Sequence, residues 1–373
     1  MHPMIKPALR RAWRDRHTVQ YGVAPAHAIL LGPVDDATAS FLDLMDGTRS
    51  MEQLRAEAAS LGLAPEEADL LTERLSRAGV LDDATAERQA AAVIGEQLRA
   101  DLASLSTVHP EPGAGPRRLS ARRASRVLVR GAGRVGAAVA ATLATAGVGH
   151  VEVKDGGDVE PWETLPGGIP AQRVGERRGV AARRVVNGAK PWRQGGCPPV
   201  GRGLDGLNLV VITPRDGLDA YAPDPAAAEP FLRAGAPHLY GGVIEGTGVV
   251  GPLVVPGVTP CAGCMLRVRT EREPSWPLVV GQWRTAGRKR AGVAACDSAL
   301  AVMVAGAVAS YALSFLDGDG GCAAGYRMRF VLPYLLADTE QITPHRECPC
   351  GADSATTGLP LSAPAHGEVT MAG

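Results

Sequence analysis

The chain has 373 residues, enough for two domains at roughly 150 residues each. Its 39 basic and 39 acidic side chains cancel, which argues against a general polyanion binder, and aromatic residues make up only 4%. A core built from the abundant Gly, Ala and Val suits helices laid closely on a sheet better than a β-sandwich. The basic residues are 35 Arg and four Lys, a bias that codon usage accounts for. No apolar run follows the basic opening segment, residues 1–17, so no secretory signal is expected and a cytoplasmic location is.

Residues 1–85 read as a small α+β domain. Val19, Tyr21 and Val23 alternate with polar or small residues, and Ala28 to Leu31 is a second apolar run, which predicts a β-hairpin around Ala24-Pro25-Ala26. Three helices follow. The first carries Ala37, Phe41, Leu44 and Met45 on one face; the second starts at a capping box, Ser50 with Gln53; the third has Pro65 in its first turn and stops at Gly79. Strands followed by three short helices make a winged-helix-like outline. The run Phe41-Leu-Asp-Leu-Met-Asp-Gly-Thr-Arg-Ser-Met-Glu-Gln-Leu54, with Leu75-Ser-Arg-Ala-Gly-Val-Leu81, resembles the PqqD-like peptide-recognition domain. The resemblance implies that the leader of a precursor peptide binds here as an added strand, at Val19, Tyr21, Val23, Ile29 and Leu31. The segment has no strongly basic recognition helix, so a nucleic-acid partner is not expected.

Residues 86–116 continue as a helical linker that breaks at His109-Pro-Glu-Pro-Gly-Ala-Gly-Pro116. Arg117, Arg118, Arg122, Arg123, Arg126, Arg130 and Arg134 then follow with no acid among them, and read either as a solvated face or as an arm for an anionic partner. Ser125 to Arg130 is a short apolar strand that runs into Gly131-Ala-Gly133-Arg-Val-Gly136 and an Ala-rich helix ending at Gly147. Strand, G-x-G-x-x-G and helix in that order let the backbone approach a phosphate and aim helix N–H groups at it. A second strand, His150 to Lys154, ends on Asp155, 19 residues past Gly136, where an acid would meet a ribose hydroxyl. The pattern predicts a Rossmann-like unit and leaves open whether it holds NAD, a flavin, ATP or nothing.

The longest apolar stretch, Ala299 to Leu313, has 15 residues, short of the ~20 that cross a bilayer, so it reads as a buried helix and no membrane partner is expected. Cys261-Ala-Gly-Cys264 and Cys348-Pro-Cys350 are two tight pairs 84 residues apart. Four soft ligands without an open position suit a structural zinc, with His345 as a substitute ligand if one cysteine fails. Cys197, Cys296 and Cys322 read as isolated thiols. Residues 353–373 are mostly Gly, Pro, Ala, Ser and Thr and predict a disordered tail.

Val127-Leu-Val-Arg-Gly-Ala-Gly-Arg-Val-Gly-Ala137, Ala146-Gly-Val-Gly-His-Val-Glu-Val-Lys-Asp155, Leu209-Val-Val-Ile-Thr213 and Leu239-Tyr-Gly-Gly-Val-Ile-Glu-Gly-Thr-Gly-Val-Val-Gly-Pro252, with the cysteine pairs, resemble the ThiF/MoeB/HesA superfamily, relatives of ubiquitin-activating enzymes. The resemblance spans about residues 120–350 and implies, for residues 117–352, a Rossmann-type domain with a mostly parallel sheet, structural zinc and a homodimer. In active members it implies ATP- and magnesium-dependent adenylation of a carboxyl terminus, with Gly131, Gly133, Gly136 and Asp155 at the nucleotide. Four positions depart from that pattern. Thr164-Leu-Pro-Gly-Gly168 replaces a phosphate-contacting Asn-Leu-x-Arg-Gln run; Arg178 replaces a Lys; Arg215 stands where an acid would hold magnesium, leaving Asp216 and Asp219 as weak candidates; and no cysteine lies between Cys264 and Cys296. The expected function is therefore that of the leader-binding ThiF-like proteins of azole-forming peptide clusters. Such a protein has a worn ATP site and presents a precursor to a partner YcaO-type cyclodehydratase. An active adenylyltransferase is the alternative.

Overall fold

The computed structural model describes residues 1–192, 203–204, 206–289, 292–319, 325–352 and 370–371. The chain divides into two compact units: residues 1–120 with 191–195 and 362–373, and residues 121–190 with 196–361.

In the first unit, β1 (Pro3–Ile5) is followed by β2 (Arg11–Trp13), β3 (Val19–Tyr21) and β4 (Ile29–Leu31). The last three form an antiparallel sheet in which Tyr21 faces Ile29 and Val19 faces Leu31, so the expected hairpin is present, with a 3-10 turn at Pro25–His27. Then come α1 (Asp36–Leu44), α2 (Met51–Ser60) and α3 (Pro65–Arg77). Asp35 caps α1 through Thr38 N, and the Ser50–Gln53 capping box starts α2. Val19, Tyr21, Leu31, Phe41, Leu42, Leu54, Leu75 and Leu81 close over one another as the core of this unit. β5 (Leu81–Asp83) returns to pair with β1, an antiparallel contact between segments about 78 residues apart that no local pattern announces.

Residues read as a linker are packed. α4 (Ala84–Ala91), α5 (Arg99–Val108) and α6 (Ala114–Ala124) follow, and Ile94, Leu98, Leu102, Leu105 and Leu119 make a small cluster of their own. Buried Lys6 donates to the carbonyls of His109 (2.9 Å) and Pro110 (3.4 Å). Buried Asp82 accepts from the Ser106 hydroxyl and from Gly113 N at 2.6 Å. Burial lowers the Lys6 pKa, and the Asp82 charge opposes that shift. The Pro-Gly segment is thus anchored by two buried charged groups.

The second unit is an α/β sandwich on one seven-stranded sheet. In chain order its elements are β6 (Arg126–Arg130), α7 (Arg134–Thr145), β7 (His150–Lys154), α8 (Arg178–Ala189), β8 (Leu209–Ile212), α9 (Leu218–Tyr221), α10 (Pro225–Arg233), β9 (His238–Ile244), β10 (Thr247–Val254), α11 (Ala262–Arg272), α12 (Trp276–Lys289), α13 (Ser298–Leu316), β11 (Tyr326–Val331) and β12 (Leu336–Gln341). The sheet order is β12-β11-β10-β9-β8-β6-β7. β7, β6, β8 and β9 run parallel, and β10, β11 and β12 extend the sheet antiparallel. The chain steps from β6 outward to β7 and returns to β8 on the other side of β6. The carboxyl ends of β6 and β8 are therefore the crevice where such sheets take ligands.

Helix α13 contains the apolar run singled out in the sequence. It is long and apolar enough to span a bilayer by composition, yet Leu300, Ala301, Val304, Ala305, Val308, Ala309 and Ala312 pack into the core with Val127, Val129, Leu239 and Val250. Two glycines make the approach possible. A Cβ on Gly241 would lie 2.3 Å from Val308 Cγ2, and one on Gly248 would lie 2.4 Å from Val304 Cγ2. The β9–β10 hairpin turns through Glu245 and Gly246, both with positive φ, as a two-residue connection requires.

The last element is β13 (Thr370–Met371), which pairs parallel with β4 in the first unit. The expected disordered tail covers residues 353–373. The rest of that segment, 353–369 and 372–373, lies outside the described residues, as do Cys197 and Cys322.

Candidate functional site

The glycine loop sits where the sequence put it, between β6 and α7. Gly131 has φ +102°, and a Cβ there would lie 1.9 Å from the Thr213 carbonyl oxygen at the end of β8. A Cβ on Gly136 would lie 2.0 Å from the Gly131 carbonyl oxygen and 2.4 Å from Thr213 Oγ1. Both glycines are needed to bring the loop down onto β8 before any ligand is considered. The Thr213 hydroxyl donates to the Gly131 carbonyl at 3.0 Å, which locks the loop.

Asp155 stands at the end of β7 facing this loop. One carboxylate oxygen accepts from Ala132 N at 2.6 Å, and the other from Arg178 Nη1 at 3.3 Å. Arg178, at the start of α8, is buried and fully engaged: Nε donates to Glu163 Oε2 at 2.9 Å, Nη1 also to the Gly156 carbonyl, and Nη2 to the Asp158 carbonyl at 2.5 Å. Glu163 in turn accepts from Arg215 Nε at 2.5 Å. The result is a chain of alternating charge, Asp155–Arg178–Glu163–Arg215. Its interior members, Arg178 and Glu163, have side chains only 2% and 6% exposed. Arg215 lies against the loop itself, its Cγ 3.2 Å from where a Cβ on Gly133 would be.

Glu163 is the member that sequence reasoning missed. The signal was indirect: an Arg in place of an acid at position 215 needs a countercharge, and Glu163 is an acid beside the Thr164–Gly168 run that departs from the family pattern. Asp216 and Asp219 have partners of their own. Asp216 accepts from Leu218 N at 3.1 Å and so starts α9. Asp219 pairs with Arg284 at 3.3 Å, although burial pushes its carboxyl pKa up. A cleft of about 690 Å3 opens beside Asp155, lined by Leu128, Arg130, Lys154, Gly156, Arg177 and Phe231, among others.

Much of the basic run is structural. Arg122 makes a bidentate, buried pair with Asp317 at 2.8 and 2.6 Å. Arg126 pairs with Glu152 at 3.3 Å, Arg130 lies over the Phe231 ring, and Arg134 donates to the Cys296 carbonyl and the Ser298 hydroxyl.

The four predicted cysteines converge. Cys261 and Cys264 begin α11, and Cys348 and Cys350 arrive from the segment after β12. All four Sγ atoms lie within 4.8 Å of one another, with Cys261–Cys348 at 3.6 Å and Cys264–Cys350 at 3.5 Å. A tetrahedron with Zn–S arms of about 2.3 Å has edges near 3.8 Å, so the cluster is of a size to hold zinc. The hydrogen bond from Cys261 holds the Cys264 thiol well below the usual thiol range, which favours a thiolate ligand. His345 is not needed as a substitute. Its Nε2 meets Glu271 at 2.9 Å and its Nδ1 accepts from Glu347 N at 3.1 Å.

Among the residues expected to meet a peptide, Val19, Tyr21 and Leu31 are buried in the core of the first unit, Ile29 is half-buried, and Val23 is 72% exposed beyond the end of β3.

The ThiF family profile matches residues 111–351. By sequence, no curated protein matches the chain. Solved structures with the same fold include Escherichia coli MccB with AMPCPP and selenomethionine MccA (TM-score 0.68, 13% identity, covering 94% of this chain and 99% of that one). They also include the microcin C7 biosynthetic enzyme MccB with N-formylated MccA (0.69, 13%, 94% and 100%). The heterocyclase TruD aligns at TM-score 0.59 and 17% identity over 94% of this chain but only 43% of its own length.

Removing Glu163 leaves Arg178 buried with one carboxylate fewer. Glu163→Ala is expected to cost about 3–5 kcal/mol by chemical denaturation, the range for breaking a buried pair. Arg215→Ala, whose side chain is 46% exposed, is expected to cost under about 1 kcal/mol. Equal losses from the two variants would mean that the pairs are not ordered as described.

Proposed function

Since the chain belongs to the ThiF family, we propose that it is a member that recruits a precursor peptide and no longer activates one: its first unit binds the leader, and its second unit is a zinc-stabilised scaffold. The carrying observation is the charge chain over the glycine loop. In an adenylating site the loop, the helix N-terminus and the basic residues are left with positive potential for phosphates, and an acid is left for magnesium. Here Glu163 already supplies the negative charge that Arg178 and Arg215 would seek, and Arg215 rests on the loop at Gly133. The residues present therefore do not fit ATP with magnesium, and no chemical step is derived through them. The ATP-consuming step falls to a separate YcaO-type enzyme.

Peptide recognition by a PqqD-like first unit is supported by the three-stranded sheet followed by three helices, since an outer strand of such a sheet can take an extended segment. The alternative, an adenylyltransferase acting on a carboxyl terminus, is favoured by one observation. MccB, solved with ATP and with MccA, aligns over nearly its whole length. ATP–pyrophosphate exchange with magnesium, run with synthetic leader and precursor peptides from neighbouring genes, separates the two. No exchange above background and saturable calorimetric binding of a leader are expected; robust exchange without a partner protein would replace the scaffold reading by the alternative.

The four-cysteine cluster fits a structural zinc that clips residues 348–350 to α11. Elemental analysis is expected to find one zinc per chain. Cys264→Ser with Cys350→Ser should lose it and lower the melting temperature, while a metal-free wild-type chain of unchanged stability would remove the zinc.

A homodimer is supported by apolar surface left open on the second unit. On α13, Val302 is exposed, and on the β11–β12 hairpin so are Tyr334, Leu335 and Leu336. Sedimentation is expected to give twice the chain mass at micromolar concentration, and a monomer there would end this part of the reading.

A further inference from the structure

Contacts between polypeptides are anchored where Trp, Tyr, Met and Arg gather around a pocket, because these side chains offer large contact area at small ordering cost. The second unit has such a gathering, and none of the residues lining it belongs to the glycine loop, its charge chain or the cysteine cluster. Between α11, α12 and the β11–β12 hairpin lies a recess of about 80 Å3, with Tyr221, Met265, Leu266, Trp276 and Val280 among its walls. Trp276 is buried there; Trp283, two turns further along α12, meets it edge-on at 5.8 Å and is 46% exposed. Two of the chain's five tryptophans thus meet at one place, in a chain with only 4% aromatic residues, which marks this surface off from the rest. The rings are set before anything binds: Arg269 lies over Trp276 at 4.6 Å and Arg327 over Tyr221 at 5.4 Å. Charge is nearly balanced around the recess. Arg269 pairs with Glu273 at 2.8 Å, Arg284 with Asp219 at 3.3 Å, Arg327 with Glu340 at 2.7 Å and Arg329 with Asp338 at 2.8 Å. The fifth guanidinium, exposed Arg272, has no such partner among the described residues. One positive charge is left over, which a single carboxylate would balance.

Size selects the kind of occupant. Sites for whole small molecules run to roughly 300–1,000 Å3, and the cleft beside Asp155 is of that class at about 690 Å3. A recess of about 80 Å3 takes one side chain. We propose that the recess at Trp276 is an anchor pocket for a partner protein, receiving one aromatic or large aliphatic side chain that stands beside an acidic residue in the partner's sequence. The apolar group is received among Met265, Leu266 and Val280, and the acid answers Arg272. Trp283 then belongs to the ring of contacts that shields an anchor from water. That the partner is the enzyme which receives the precursor rests on the reading given under the proposed function; the pocket and its choice of side chain do not.

The test uses the full chain with carbon-13 methionine methyl groups, because Met265 lines the recess while Met45 and Met51 pack in the first unit and report on folding. Met265→Leu assigns the signal. The probe is the peptide acetyl-Gly-Glu-Phe-Glu-Gly-amide, which needs no knowledge of the natural partner. It is expected to shift the Met265 methyl signal saturably and to leave those of Met45 and Met51 in place. The same peptide with alanine for phenylalanine is expected to bind at least ~10-fold more weakly, the cost of a lost buried ring. With glutamine for both glutamates, or with the original peptide on Arg272→Glu, binding is expected to weaken about 3-fold. Arg272→Glu should leave the glutamine peptide's affinity unchanged, which a loss of structure at the recess would not. N-acetylphenylalanine, a ring and a carboxylate without a chain, is expected to bind at least ~3-fold more weakly than the probe, since it lacks the surrounding contacts. No shift at Met265 with ~10 mM probe, or a shift that the alanine peptide reproduces, overturns the inference. Equal affinity of the glutamate and glutamine peptides overturns the assigned acid, and N-acetylphenylalanine binding as well as the probe replaces the partner protein by a small aromatic acid. Leader titration and pyrophosphate exchange report on the proposed function alone, so a leader that fails to bind leaves the pocket standing, and a silent Met265 leaves leader recognition standing.

Discussion

Unit two depends on how near a helix can come to a sheet. Gly241 and Gly248 lack the Cβ atoms that Val308 and Val304 would strike, so α13 lies almost on the backbone of β9 and β10. Alanine-rich α7 packs into the same core. Close packing of this kind is stiff, because interiors at crystal-like density do not absorb an added methyl group without moving something. It also explains how a domain with so few aromatic residues holds together: the missing bulk is replaced by proximity. The stiffness passes to the loop, since Gly131 and Gly136 are pressed against Thr213 by the same logic at the strand ends.

On that rigid base the chemistry of the crevice is decided by charge. A glycine loop at a helix N-terminus is positive by construction, and in this chain the surroundings add Arg178 and Arg215. Unbalanced, two buried or half-buried guanidinium groups would be costly. Glu163 and Asp155 balance them within the protein. Beside the glycine loop lies an internal salt-bridge chain whose members answer to one another.

Different forces hold the outlying segments. The segment after β12 is fixed by four thiols brought within 4.8 Å, a donor set whose size and softness fit zinc. The segment between α5 and α6 is fixed by Lys6 and Asp82, which reach backbone and hydroxyl partners with no loss of a buried hydrogen bond. The C-terminal strand is fixed by the least, a two-residue ladder on β4.

The sequence by itself determined whatever depends on short-range spacing. Gly131, Gly133 and Gly136 after an apolar strand, Asp155 at the end of the next, the Ser50–Gln53 box, the Cys-x-x-Cys and Cys-x-Cys pairs and the hairpin at residues 19–31 were all legible because each is a local rule of backbone geometry or ligand spacing. Only the tertiary structure decided the rest. No local period links β1 to β5, Lys6 to the His109 carbonyl, Arg122 to Asp317 or Thr370 to Leu30. Arg215 could be seen in the sequence as the wrong charge for magnesium, but its partner Glu163, 52 residues earlier, could not, because opposite charges find each other through space and carry no register along the chain. For the same reason the alternation at Val19 and Tyr21, read as peptide contacts, does not tell what packs on them. The helices that close over β3 bury both in the core of the first unit.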